Sequence, residues 1–593
     1  MVSSTSSLPS RVLSPSSSAS SPSLRALELE QGPVSGTSLE RTNTISTLGG
    51  FEFEHALLPL SLSGEEQQQA EHKHVGLLQG MALVVGMQVG SGIFASPGVV
   101  VDSVGSVGAS LIVWLLSGLL AWTGATSFAE LGCAIPLSGG AQAYLAYSFG
   151  PLLSYLFTWS AVTTLKPGGA AIIALIFGEY VNRMVYQAIT GSTEAVVPEW
   201  TFKVTGTLAV LVVTALNLIS PKAGTHSAVV LTGIKIGSLI FVGVLGLLYL
   251  IRNGPGESFA KGSVFKGSSK NPSDYAIALY SGLWAFDGWD QCSFVGGEMT
   301  NPNRDLPRAL HSSMTIVLIL FLSANVSYFI ALPPSVVASS NTVALDFGRA
   351  TIGKLGGLVF STLVAISCFG ALNGGCYTTA RLIYAAARDH FLPSIFARLD
   401  SKRRTPDFAL SLNAALTVFF IVFGGGFRKL INFFSVTSWT WYLVTVVGLL
   451  YLRIKEPHLE RPYKAWITTP VIFCMVGLRP TNLTQIAMFL LLMPIFAAPW
   501  EGLAAFVFMA AGVPMYYLTA RSRSQQARGY SRVEGNEEAA GGIGATLRDA
   551  HAAFMDDVAR LLPRRWAQRL GPTAPPDREE RQRMLDRVEM AEL

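Results

Sequence analysis

Charge is what this sequence has least of. Of its 593 residues only 14% are Asp, Glu, Lys or Arg, against about 25% in soluble domains, while half are hydrophobic and the mean hydropathy is +0.42. A water-soluble globule is excluded. Cysteine is scarce too: Cys133, Cys292, Cys368, Cys376 and Cys474 lie in or beside apolar runs, without the close spacing of a zinc site or a secreted disulfide framework, and read as free thiols. The net charge of +5 is small for the length, and the basic residues gather in loops and tail without interleaved aromatics, so nucleic-acid binding has no support. The opening "MVSSTSSLPSRVLSPSSSASSPS" lacks the apolar core of a cleaved secretory signal. No HExxH, Ser/His or paired-Asp constellation falls within the apolar runs, and "EHKH" at 71–74 is a weak metal pattern in a polar tail; the chain does not read as an enzyme, and no cofactor or metal is expected.

Long apolar runs are abundant. Each spanning helix needs about 20 residues to cross a hydrocarbon core of about 30 Å, and such runs fall near 76–101, 107–131, 151–181, 204–220, 227–251, 274–297, 309–332, 356–387, 408–424, 429–453, 470–498 and 501–519. Alternating barrel strands are not seen. The expected fold is an all-α integral membrane protein of about twelve transmembrane helices over 75–520, between a polar, largely disordered tail at 1–74 and a second tail at 521–593. An even number of spans puts both tails on one side, and the basic loops "ARDHFLPSIFARLDSKRR" and "RIKEPHLERPYK" mark that side as cytosolic. The eleventh run carries Arg479, Pro480 and Asn482; an interrupted helix facing a cavity and a foreign insert at 477–485 both fit. In the second tail, Leu547, Phe554, Val558, Leu561 and Leu562 fall at helical spacing beside several arginines, which suits a helix lying on the membrane face and equally a solvated one.

The run "VVGMQVGSGIFASPGVV" at 84–100 has Gly90, Ser91, Gly92 and Pro97 in its middle. Non-helical backbone survives in lipid only when buried in protein or lining a watery cavity, so a break here points to a site. Its new helix N-terminus would attract anions and its free carbonyls cations. A close helix crossing explains the small residues equally well. The sixth run, "AIALYSGLWAFDGWDQCSFVGGEM", repeats the anomaly with Asp287, Gly288 and Asp290, and interruptions in spans one and six are what a five-plus-five inverted repeat places at a substrate site. The correspondence between the halves is positional only. A channel is disfavoured, because the breaks sit in two non-equivalent helices.

The motifs "GSGIFASPG", "PLSGGAQAYL", "LKPGGAAIIALIFGEY", "GLWAFDGWDQCSFVGGEMTNPNRDLPRAL", "ALNGGCYTTARLIYAAARDHFLP" and "ERPYKAWITTPVIF" resemble the L-type amino acid transporters of the amino acid-polyamine-organocation superfamily, and the long tails are similar to those of fungal members. The resemblance implies a leucine-transporter-like fold with helices 1 and 6 unwound. It implies that the amides of Ser91, Gly92 and Ile93 take the substrate carboxylate, and that carbonyls near Val89, Gly90, Leu283 and Trp284, beside Ala285, take the ammonium. Trp284 corresponds to a gating aromatic. Asp287 stands where relatives that carry dibasic amino acids or cystine have Asp; it also fits a cap on the helix break. Lys235 occupies the place where sodium-coupled relatives bind a cation, and snorkelling, a fixed ammonium and a proton carrier all remain open for it. Lys166 precedes Pro167 beside the cavity. Glu298, Arg304 and Arg308 suit an inner gate of ion pairs or plain loop charge.

The expected function is therefore sodium-independent secondary transport of L-amino acids, neutral ones with cationic ones left open, by exchange or proton symport. A sensor that uses the same site without flux is the alternative. The loop "YQAITGSTEAVVPEW" has no cysteine, so a disulfide-linked heavy subunit is not expected, and the chain works as a monomer or homo-oligomer. The plasma membrane is favoured over the vacuolar or other endomembranes.

Overall fold

The computed structural model describes residues 75–517 apart from 138, 191–196, 220, 260–262, 297–298, 389–390, 401–404 and 475–498. Both tails, and most of the eleventh apolar run with its candidate insert at 477–485, lie outside the described residues.

Helices account for nearly everything described. In chain order they are α1 (Leu77–Gln88), α2 (Gly92–Val104), α3 (Val107–Ala134), α4 (Ala141–Phe149), α5 (Pro151–Ser160), α6 (Lys166–Thr190), α7 (Glu199–Ile219), α8 (Pro221–Asn253), α9 (Pro272–Ala285), α10 (Gln291–Phe294), α11 (Pro302–Ala331), α12 (Pro334–Ser339), α13 (Val343–Ile352), α14 (Lys354–Arg388), α15 (Asp407–Phe423), α16 (Phe427–Lys455), α17 (Thr468–Cys474) and α18 (Pro499–Met515). A π-helical turn, Ala161–Leu165, joins α5 to α6. Among the described residues, seven helices are long and apolar enough to cross a membrane, and α1 with α2 makes an eighth span bent by 45°. The remaining expected spans are broken (α9 with α10), shorter (α15, α18) or mostly undescribed (α17 onward). The observed α7 and α11 begin several residues ahead of their apolar runs, because polar first turns led by Glu199 and by Pro302 prolong them. Proline at the first helical position of α5, α9, α11 and α12 gives up an amide that has no intrahelical partner there.

Burial sorts the spans. Only 28% of the apolar window of α8 and 33% of that of α7 is buried, against 72% for α16. The first two present Leu208, Leu216, Leu247 and Ile251 outward as lipid-facing surface, and α16 lies at the heart of the bundle. Glycine sets one of the close crossings. A Cβ at Gly178 of α6 would meet the Phe202 carbonyl at 2.3 Å, and one at Gly206 of α7 the Ala174 carbonyl at 2.7 Å, so α6 and α7 pack backbone on backbone in the way small residues allow in membranes.

The end of the bundle holding the C-termini of α3 and α16 is tied by buried charge. Glu130 of α3 is fully buried and pairs with Arg453 of α16, with Arg461 at 3.6 Å and with the Ala465 amide at 2.8 Å. Tyr463 bonds the His311 imidazole, which accepts from the Trp122 indole. The 456–467 loop thus contributes Arg461 to the interior, along with Arg453 beside it, rather than presenting them as surface charge.

Candidate functional site

Helix α1 ends at Gln88 and α2 begins at Gly92. Pro97 is not the breaker: α2 runs through it. The interruption is at Val89–Ser91, where the Gly90 amide turns back to the Gln88 carbonyl at 2.8 Å instead of continuing the helical ladder. In the second interruption α9 stops at Ala285, and the chain turns through 286–290 before α10. Gly288 makes that turn with φ of +107°, which an L side chain resists.

The two interruptions touch. A Cβ on Gly92 would lie 2.5 Å from the Ala285 Cα, and one on Gly288 would lie 2.8 Å from the Met87 Cβ. The Gln88 side chain crosses between them, its Nε2 donating to the Phe286 carbonyl at 2.8 Å and lying 3.2 Å from the Met314 sulfur.

Broken helices orphan backbone groups, and most of these find partners inside the protein. Gly86, whose carbonyl would serve residue 90 in an unbroken helix, accepts from Lys235 Nζ at 2.8 Å. The Val89 carbonyl accepts from Ser367 Oγ at 3.2 Å. Trp284 accepts the Asp287 amide. Among the described residues, the amides of Ser91, Gly92 and Ile93 and the carbonyls of Gly90 and Leu283 have no hydrogen-bond partner.

A cavity of about 110 Å³ opens at this junction. Gly90, Ser91, Gly92, Trp284 and Asp287 line it, together with Lys166, Asp290, Phe434 and Tyr442. Of the other expected site residues, Val89, Ile93, Leu283 and Ala285 are buried in the same two segments but do not line the cavity. The Trp284 ring stands edge-on to Phe434, centroids 4.7 Å apart. Asp287 accepts a hydrogen bond from the Tyr442 hydroxyl at 2.9 Å, and Gln291 donates to Asp290 at 3.1 Å. Lys166 places its ammonium 5.3 Å from the centre of the Phe294 ring, and among the described residues it has no ion pair. Pro167 gives the π-helical turn before it a cause: with no amide at 167, the ladder slips by one residue, and π turns of this kind recur at functional sites. The lining therefore combines two carboxylates and one ammonium with aromatic walls and unpaired peptide groups, an arrangement suited to a small molecule carrying both charges.

Lys235 is 4% exposed. Its ammonium ends on the Gly86 carbonyl rather than reaching outward, which removes the snorkelling reading. Arg304 is mostly exposed and pairs with its neighbour Asp305 at 2.9 Å; Glu298, its expected gate partner, lies outside the described residues. Asn373 accepts from Asn217 at 2.8 Å, tying α14 to α7.

Gln88, Ser367 and Tyr442 were missed by sequence reasoning. A lone amide in "ALVVGMQVGSG" was a usable signal for the first. Nothing local marks Ser367 or Tyr442, whose partners lie 278 and 155 residues away.

The amino acid permease family model matches residues 75–519. The chain is 35% identical over 457 residues to the b(0,+)-type amino acid transporter 1 of Mus musculus, covering 77% of this chain and 90% of that one. It is 33% identical over 455 residues to the cystine/glutamate transporter of Homo sapiens, covering 77% and 86%, and 32% identical over 459 residues to the Asc-type amino acid transporter 1 of Mus musculus, covering 77% and 83%. With a multi-pass helical fold interrupted at a central cavity and a family match across the whole membrane domain, the chain belongs to the amino acid permeases, in the L-type amino acid transporter group, a family of membrane transporters and not of enzymes.

Proposed function

We propose that this protein is a sodium-independent secondary transporter of L-amino acids, neutral and cationic, working by alternating access. The observation that carries the reading is the pair of interrupted helices packed on one another at a cavity, lined by Ser91 and Gly92, whose amides are unpaired, and by Gly90, whose carbonyl is unpaired. A zwitterion supplies the missing partners: its carboxylate accepts from the amides at the positive end of α2, and its ammonium donates to the carbonyl. The backbone of the amino acid is thereby recognised whatever its side chain. Asp287 and Asp290 add negative charge to the same cavity and favour a cationic side chain, while the single Lys166 ammonium balances part of it. Trp284 and Phe434 form the wall that closes over bound substrate.

Lys235 acts as a tethered cation. Its ammonium holds the carbonyl that the break in span one leaves bare, the place a bound sodium ion would fill, so no ion needs to be loaded. The helices are arranged as two inverted repeats of five, with α1–α2 and α9–α10 as the matching members and the remaining two spans outside the repeat. Both tails are cytosolic, and the plasma membrane is the host.

The test is uptake of a labelled amino acid panel into proteoliposomes, with and without internal amino acid, with and without sodium, and at two pH values. Concentrative or exchanging uptake that ignores sodium supports the proposal. Dependence on internal amino acid identifies exchange, and a response to an imposed pH gradient identifies proton symport. Saturable binding without flux would overturn it in favour of a sensor.

A further inference from the structure

The geometry points to Gln88 as a positioning residue for substrate binding: its side-chain amide locks the two helix interruptions into one recognition surface, although the side chain itself need not touch the substrate. This rests on the transport reading above and goes beyond it, because that reading uses only peptide groups at the first break.

Gln88 is the last residue of α1 and 2% exposed. Its Nε2 donates to the carbonyl of Phe286, the residue that caps α9, and among the described residues this is the only partner of that carbonyl and the only hydrogen bond joining the two interruptions. The amide's orientation is fixed by chemistry, since Oε1 facing a carbonyl oxygen would be repelled. The other contacts between the interruptions, Gly92 on Ala285 and Gly288 on Met87, are steric and limit approach without setting register. The directional bond is what fixes the spacing between the free amides of α2 and the second break, whose Trp284 and Asp287 line the same cavity, and that spacing must match the two ends of an amino acid. Loss of the bond loosens both ends together. The effect is therefore felt by every substrate alike, whatever its side chain, which separates Gln88 from Asp287.

The experiment is uptake kinetics in proteoliposomes at matched protein content for Gln88→Met, which keeps the length and loses the donor, Gln88→Asn, which keeps the amide but falls short, and Gln88→Glu, which donates only when protonated. The expected result is a KM raised about tenfold for leucine and lysine alike in the first two, the order of effect of one lost hydrogen bond at a buried acceptor, with Vmax changed by less than about twofold. Gln88→Glu should lie nearer the wild type at about pH 5.5 than at about pH 7.5, relative to wild type at each pH. An unchanged KM, a rise confined to one substrate class, a fall in Vmax alone, or failure of all three variants to reach the membrane each overturns the positioning role. Wild-type vesicles that transport no amino acid would instead defeat the transport reading itself.

Discussion

Consider a single methyl group added where the two interruptions meet, Gly92→Ala. The new Cβ would stand 2.5 Å from the Ala285 Cα and 2.8 Å from its Cβ, whereas carbon atoms rest at about 3.5–4.0 Å. The segments must part by about 1 Å. Overpacking of this kind costs about 1–3 kcal/mol, which a membrane domain of this size survives, so the variant should still fold. The site fares worse: a displacement of about 1 Å in a preorganised constellation lowers rates by about 100-fold, and Vmax/KM for amino acid uptake should fall by about that factor at equal membrane abundance. Because the nearer obstacle is a backbone carbon, adding Ala285→Gly should not restore transport. Gly237→Ala is the matched control. A Cβ there has nothing within 4 Å, and the change favours a helix by about 1 kcal/mol, so uptake should stay within about twofold of wild type. Gly92→Ala transporting within about threefold of wild type would refute the claim that close packing of the two breaks builds the site.

Asp287→Ala should reduce lysine and arginine uptake about tenfold more than leucine uptake, the order of one charge-assisted hydrogen bond; equal losses in side-by-side uptake assays would remove its selectivity role. Lys235→Met leaves the Gly86 carbonyl bare at depth, at a cost of about 1–3 kcal/mol, and should abolish transport that in the wild type is identical in sodium and choline buffers; sodium stimulation of the wild type would contradict the tethered-cation account. Glu130→Ala leaves two guanidinium groups without their buried carboxylate and should destabilise the protein by about 3–5 kcal/mol, seen as a lower melting temperature of the detergent-purified protein with Glu130→Gln between the two. An unchanged melting temperature for Glu130→Ala would mean that Arg453 and Arg461 find water instead.

The sequence made the membrane domain and its two anomalies legible, for one reason: in lipid each breach of helical regularity needs a partner, so "GSG" at 90–92 and "FDGWD" at 286–290 stood out against apolar surroundings. Where the break falls was less legible. Pro97 looked like part of it, yet α2 tolerates Pro97, while the quieter Val89–Ser91 is where the ladder fails. The partners were not legible at all. Ser367, Tyr442 and Glu130 carry no local signature, because their meaning comes from contacts made across 155 to 335 residues of chain. A composition count is blind in the same way within "RIKEPHLERPYK": it does not tell an arginine facing water from Arg461, which is turned inward onto Glu130.

The partners also explain why a membrane helix can carry its own interruption. An unbroken span needs nothing beyond itself, whereas this one leaves a row of carbonyls that would each cost several kcal/mol in hydrocarbon. The row is shared out. Lys235 takes Gly86, Ser367 takes Val89, and across the junction Gln88 takes Phe286. Three side chains from three different helices thus remove part of the penalty within the protein itself. The groups left over are then informative by subtraction. Among the residues that line the cavity they include donors at Ser91 and Gly92 and an acceptor at Gly90, so a ligand that pairs with them accepts at one end and donates at the other. A neutral apolar molecule satisfies neither end, and a simple cation or anion only one. An α-amino acid satisfies both, and on the proposed reading its binding would supply hydrogen bonds that the helix itself left incomplete.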